Sequence, residues 1–136
     1  MGHYFTNLPF PAMRTLIFAL LFITALLAAY AATNNIHSHL LVDVGKQFVL
    51  GGEQVGAFRV SARNSGPVPV LLLERSGDGV VVVTRGRLEP GQSARLTFAA
   101  GAAVLVRNLG LQRAEIDLDI KGPSKSRMEY EPVPNN

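Results

Sequence analysis

From Gln112 to Lys121 the chain alternates without a break. Ala114, Ile116, Leu118 and Ile120 are apolar, and Arg113, Glu115, Asp117, Asp119 and Lys121 stand between and around them. A period of two with one apolar and one charged face belongs to a strand that covers a core on one side and meets water on the other. The same rhythm sets Phe58, Val60 and Ala62 against Arg59, Ser61 and Arg63, and Ala94, Leu96 and Phe98 against Ser93, Arg95 and Thr97. Val68–Arg75, Val80–Arg85 and Ala102–Asn108 are nearly continuous apolar runs, as expected of more central or doubly covered strands. Leu40–Val44 and Gln47–Leu50 supply one or two more. Turn chemistry separates the runs at Asn64-Ser65-Gly66, Ser76-Gly77-Asp78-Gly79, Glu89-Pro90-Gly91, Ala99-Ala100-Gly101 and Asn108-Leu109-Gly110. No stretch after Ala32 has a helical apolar period. The fold class expected is all-β, an antiparallel sandwich of about seven or eight strands.

The turns also carry a resemblance. The stretch Val60-Ser61-Ala62-Arg63-Asn64-Ser65-Gly66-Pro67-Val68-Pro69-Val70, followed by Leu88-Glu89-Pro90-Gly91-Gln92-Ser93-Ala94-Arg95-Leu96, resembles the strand–turn–strand and hairpin segments of bacterial extracytoplasmic immunoglobulin-like modules. It runs from Ala57 to Lys121 and rests on turn residues, so it implies a fold class and no ligand.

Ahead of the β pattern lies a segment of another kind. Leu16 to Ala32 is seventeen residues without a charge, preceded by Arg14 and followed by no Lys or Arg until Lys46. That asymmetry predicts an N-terminal hydrophobic helix that starts in the cytoplasm and sends everything after it outside. Ala29-Tyr30-Ala31 offers the small residues of a signal-peptide cleavage site. Retained as an anchor, the run would rise about 25 Å, against a hydrocarbon core of about 30 Å. The organisation expected is 1–32 signal peptide or membrane anchor, 33–55 linker and first strands, 56–121 sandwich body and 122–136 flexible tail, the last containing three prolines and no period. Cysteine is absent, so there is no disulfide, thiolate metal site or thiol nucleophile, and in an exported protein this points to a bacterial envelope.

The search for chemistry returns little. Histidine occurs at 3, 37 and 39 only. In an extended chain His37 and His39 face one side, as a metal pair requires, but Asp43 is the one further ligand near them in sequence and a linker pair is the simpler account. With no histidine in Gly56–Lys121, that stretch alone cannot build a Ser-His-Asp triad. Glu115, Asp117 and Asp119 form an acidic row with alternate residues about 6.6 Å apart, too far for all three to grip one calcium ion without loop ligands. Cross-strand ion pairs with the arginines are expected instead. Nothing in the sequence brings Glu74 and Glu89 together as a carboxylate pair. Gly51-Gly52 is followed by Glu53-Gln54, which is no phosphate loop. Phe48, Phe58 and Phe98 are the aromatic residues of 33–122 beside the histidines, and the charges are interspersed. Stacking platforms for sugars and a basic face for nucleic acid are thus both missing.

These readings lead to a non-catalytic interaction or structural domain of the cell envelope, in the periplasm, at the cell surface or secreted. It has no catalytic, metal or cofactor residue, does not bind nucleic acid, takes an envelope protein as partner, and contacts membrane through residues 16–32 if that segment is retained. The alternative is a carrier holding a small apolar ligand between its sheets, lined by Val70–Leu73 and Val80–Val83 with Ala94, Ala102 and Ala114 leaving space. An open sandwich has edges. Pro67 and Pro69 read as edge protection for the strand they precede. The uncharged Val80–Val83 run is expected to be paired internally or covered by a partner.

Overall fold

A computed structural model of the protein describes Thr15 and residues 17–19, 34–122 and 127–135. The chain divides into two units, Met1–Ala32 and Thr33–Asn136. In the first, Thr15 and residues 17–19 are helical. The rest of the expected signal peptide or anchor lies outside the described residues, among which no helix is long and apolar enough to cross a membrane.

The second unit is all-β. Its strands are β1 (Asn34–Val42), β2 (Lys46–Gly51), β3 (Phe58–Asn64), β4 (Val70–Arg75), β5 (Val82–Leu88), β6 (Ser93–Phe98), β7 (Ala103–Asn108), β8 (Ala114–Gly122) and β9 (Met128–Pro132). They form two antiparallel sheets, β1-β8-β3-β6 and β5-β4-β7-β2-β9. The pairs β4/β5, β3/β6, β2/β7 and β1/β8 nest about the turn at Ser76–Val81, like the rungs of one long hairpin. That hairpin is rolled up, so that β3 also pairs β8 and β4 also pairs β7. The result is a double Greek key of the jelly-roll kind. Its order differs from the immunoglobulin one, in which the first strand neighbours the second and the third begins the opposite sheet. The strand–turn–strand segments behind that resemblance are present, but they specify turns and not neighbours.

The alternation of β8 resolves as read: Ala114, Ile116, Leu118 and Ile120 are buried and Asp117 is exposed between them. With Val42, Phe48, Leu50, Phe58, Val60, Val70, Leu72, Phe98, Val104 and Val106 they fill the space between the sheets. Phe58 and Phe98 stack with ring centroids 5.3 Å apart. The apolar run of β7 is buried on both faces. Leu105 joins Val49, Leu73 and Ala103 in a second cluster, separate from the main core.

Three expectations are corrected. The tail is not free along its length, because β9 pairs β2 over Met128–Pro132. A backbone ladder needs no apolar period. The strand is further held by Glu131, which accepts from the Nε2 of Gln47 at 2.6 Å and pairs with Arg75. Gln47 is wholly buried and in turn accepts from Arg107 Nε at 2.9 Å. The run from Val80 is not central: among the described residues β5 pairs β4 alone and is an edge. Nor does the segment from Pro67 to Pro69 guard an edge, since β4 lies between β5 and β7.

Two asparagines fix the rolling of the hairpin. Asn64 ends β3, is fully buried, and donates from Nδ2 to the carbonyls of Val68 at 2.7 Å and Leu88 at 3.0 Å, while its Oδ1 accepts from Gly66 N. Asn108 ends β7 and repeats the pattern, donating to Val42 at 2.9 Å and Gln112 at 2.7 Å and accepting from Gly110 N. Each is an Asx turn whose amide also binds a strand distant in sequence. Gly66 is required there by close approach, since a Cβ would lie 2.6 Å from the Glu115 nitrogen.

Candidate functional site

Two surfaces are candidates. The first is the outer face of the β1-β8-β3-β6 sheet. The odd-numbered side chains of β1 and β8 meet across the ladder, with His37 opposite Asp119, His39 opposite Asp117 and Leu41 opposite Glu115. On the other side of β8, Asp119 faces Ser61 and Asp117 faces Arg63, and β6 continues these rows with Arg95 and Ser93. An acidic strand thus runs between an imidazole strand and a guanidinium strand, along the floor of a shallow open groove of about 880 Å³.

The histidines read as a linker pair are therefore in the sheet. Sequence separation hid this, since His39 and Asp117 are 78 residues apart. The signal available was the alternation of Ile36, Ser38 and Leu40 with His37 and His39. The acidic row meets histidines on its β1 side, while the expected arginine neighbour, Arg63, stands opposite Asp117 on the β3 side. His39 Nδ1 lies 2.6 Å from Asp117 Oδ1, and its Nε2 lies 3.9 Å from Glu115. His37 is 3.6 Å from Asp119. The hydrogen bond to Asp117 raises the His39 pKa above its ordinary value, and the same bond holds the Asp117 carboxyl below the usual range. Both groups stay about half exposed, so water screens the pair.

The chemistry this face can perform is limited. Among the described residues no three His, Asp or Glu side chains converge as a metal site requires; His39 lies between Asp117 and Glu115, and His37 lies near Asp119. Among the described residues no serine or threonine hydroxyl hydrogen-bonds either imidazole. Ser61 Oγ instead accepts from Arg95 Nε at 3.3 Å. Asp43 pairs with Arg113 at 2.8 Å. Glu74 pairs with Arg85 and Glu89 with Arg87, so these two carboxylates serve different arginines.

The second surface is the β5 edge. Val80, Val81, Val82 and Val83 are 79%, 53%, 46% and 45% exposed. They follow the Ser76–Gly79 turn, where Asp78 Oδ1 accepts from Val80 N at 3.0 Å and Ser76 N donates to Val81 O at 2.8 Å. The ladder with β4 shifts register between Leu72 and Leu73, which leaves Arg85 out of register. The bulge re-aims that side chain. It pairs with Glu74, sits 5.0 Å from the Phe98 ring centroid, and reaches the Thr97 carbonyl. Arg85 thereby ties β5 to the opposite sheet at the corner and leaves the valines beyond it uncovered. The sequence showed an uncharged run; only the strand order shows that it lies at an edge.

No protein-family model matches this chain, and none of the curated proteins matches it. Among solved structures, the crystal structure of the Yersinia pseudotuberculosis-derived mitogen (YPM) is similar at a TM-score of 0.45 and 11% identity, over 69% of this chain and 90% of that one. At that distance the likeness bears on neither topology nor function.

Proposed function

We propose that the protein is an exported, non-catalytic interaction module of the cell envelope, and that it holds a protein partner through the open edge of β5. The observation that carries the reading is the run of four exposed valines, Val80 and Val81 leading into an edge strand and Val82 and Val83 opening it. Edge strands are ordinarily blunted by charge, proline or a covering element, because their free N–H and C=O groups template further pairing. The other edges have such devices: β1 carries His37 and His39, β6 carries Arg95, and β9 carries Glu129 and Glu131 and ends at Pro132. β5 carries Arg85, Arg87 and the bulge in its second half, and the stretch from Val80 to Thr84 ahead of them has no such device. Strand addition at such an edge draws affinity from the backbone and needs no special side chain. Export is argued from Arg14 and the run Leu16–Ala32.

The carrier reading has less behind it. Val70 and Leu72 are packed in the intersheet core, while Val80–Val83 are exposed, so the two runs line no common space. Ala102 and Ala114 are buried in the same core as small packing residues.

The test is site-specific photo-crosslinking in the native cell. A photoreactive residue at Val82 is expected to give a defined covalent adduct. The same residue at Leu111, 94% exposed in the loop between β7 and β8, is expected to give none. Val82→Lys should leave the domain folded and abolish the adduct formed from a photoreactive residue at Val81. Equal labelling from Val82 and Leu111, or a folded Val82→Lys protein that still forms the adduct, would refute the proposal.

A further inference from the structure

We infer that the strand received by the β5 edge is β5 of a second copy of this chain, the two pairing antiparallel about Val83; this rests on the reading of β5 as a docking edge. The backbone geometry sets the register. Ser76 N donates to Val81 O and Ser76 Oγ accepts from Val81 N at 3.0 Å, so Val81 turns its peptide groups toward β4. In an antiparallel ladder consecutive residues turn their N–H and C=O groups alternately to one side and the other. Val83 then also faces β4, and Val82 and Thr84 present theirs to the open edge. Beyond Thr84 the bulge at Arg85 interrupts the order. On the other flank Val80 N is already committed to Asp78. Between the turn and the bulge, the residues that present both an open donor and an open acceptor are thus Val82 and Thr84.

A two-fold axis through Val83 satisfies them together. Val82 of each copy lies opposite Thr84 of the other, each pair exchanging two hydrogen bonds, and the two Val83 residues meet between them as a close, non-hydrogen-bonded pair. The side chains agree with this. From Gly79 to Thr84 the strand has no charge, so self-pairing brings no like charges together at its centre. At the ends, the turn carrying Asp78 of one copy comes alongside the Arg85–Arg87 stretch of the other, placing opposite charges together. Lipid would cover the valines but offers no partner for the backbone groups of Val82 and Thr84. A second copy meets both needs with groups the chain already has.

The absence of cysteine makes the register directly testable. Val83→Cys and Val81→Cys are introduced singly into the full chain, purified, and exposed to mild oxidant. Directly opposed residues in a non-hydrogen-bonded pair have Cα atoms about 4.5 Å apart, within disulfide range. The two copies of residue 81 would be four positions apart along the ladder, about 13 Å, which no disulfide spans. Val83→Cys is therefore expected to double in mass on non-reducing gels while Val81→Cys stays at the monomer mass. Cross-linking of Val81→Cys in preference to Val83→Cys would overturn the pairing. If neither cross-links, the second copy is overturned as the partner: a Val82 photo-adduct with a different protein then leaves β5 a docking edge, and the absence of any adduct removes both readings.

Discussion

Asn64 is the residue whose loss tests the account of the fold most sharply. Its side chain makes three hydrogen bonds, two as donor to Val68 and Leu88 and one as acceptor from Gly66, and it is fully buried. A hydrogen bond of this kind contributes about 1 kcal/mol net, and a buried carbonyl left without a partner costs about 1–3 kcal/mol. Asn64→Ala is therefore expected to destabilise the domain by about 3 kcal/mol or more, a large part of the roughly 5–15 kcal/mol that holds a typical domain folded. Asn64→Asp keeps the shape and the acceptor but removes both donors and buries a charge beside two carbonyl oxygens. That carboxyl's folded pKa must then lie above its unfolded value, so the penalty is largest at neutral pH and shrinks as pH falls and the group takes up its proton. Asn108→Ala should match Asn64→Ala, because its amide does the same work for Val42 and Gln112. The two turns touch, with Leu109 N donating to Pro69 O at 3.1 Å, so the double variant should depart from additivity. Urea unfolding followed by circular dichroism measures each value. A loss below about 1 kcal/mol for Asn64→Ala, at an unchanged denaturant slope, would refute the claim that these turns hold the hairpin rolled.

Leu118→Ala should cost about 2–5 kcal/mol and Asp117→Ala well under 1 kcal/mol in the same assay; comparable losses would mean that β8 does not present alternate faces to core and water. The folded-state pKa of His39 is raised, so the pairing with Asp117 is fully present below the ordinary histidine value of 6.5 and is lost as pH rises through the folded one. An NMR titration should show His39 titrating at lower pH in Asp117→Asn than in the wild type. Desolvation acts to raise the Glu131 carboxyl, but hydrogen bonds from Arg75 and Gln47 and the charges of Arg75 and Arg107 outweigh it and hold the group below its ordinary value of 4.5. Its contribution is therefore present above 4.5 and lost as pH falls through the folded value, and hydrogen exchange in β9 should accelerate in acid and, at neutral pH, in Glu131→Ala. A reporter active only outside the cytoplasm, fused after Asn35, should give signal, and replacing Leu20 and Leu21 with arginine should abolish it, since each charge costs about 2.5–3.5 kcal/mol at a segment centre.

What the sequence by itself determined is which residues face inward. The period of two placed Phe58, Phe98, Ile116 and Leu118 in the core and Asp117 outside it, and the Asn-x-Gly triplets marked turns that the structure forms. That information is local, because a side chain's face follows from its own neighbours in the chain. The period carries no record of which strand lies beside which. β1 meets β8, and so His39 meets Asp117, only because the long hairpin closes from the Ser76–Val81 turn outward and then rolls. β9 has no apolar rhythm because a short polar strand can be held by backbone pairing and one part-buried carboxylate network. Whether Val80–Val83 lies at the centre or the edge was likewise decided by the strand order alone. An uncharged run suits a strand flanked on both sides, and here the chain leaves one side open because the Arg85 bulge turns toward Phe98 and, among the described residues, no strand but β4 pairs with β5.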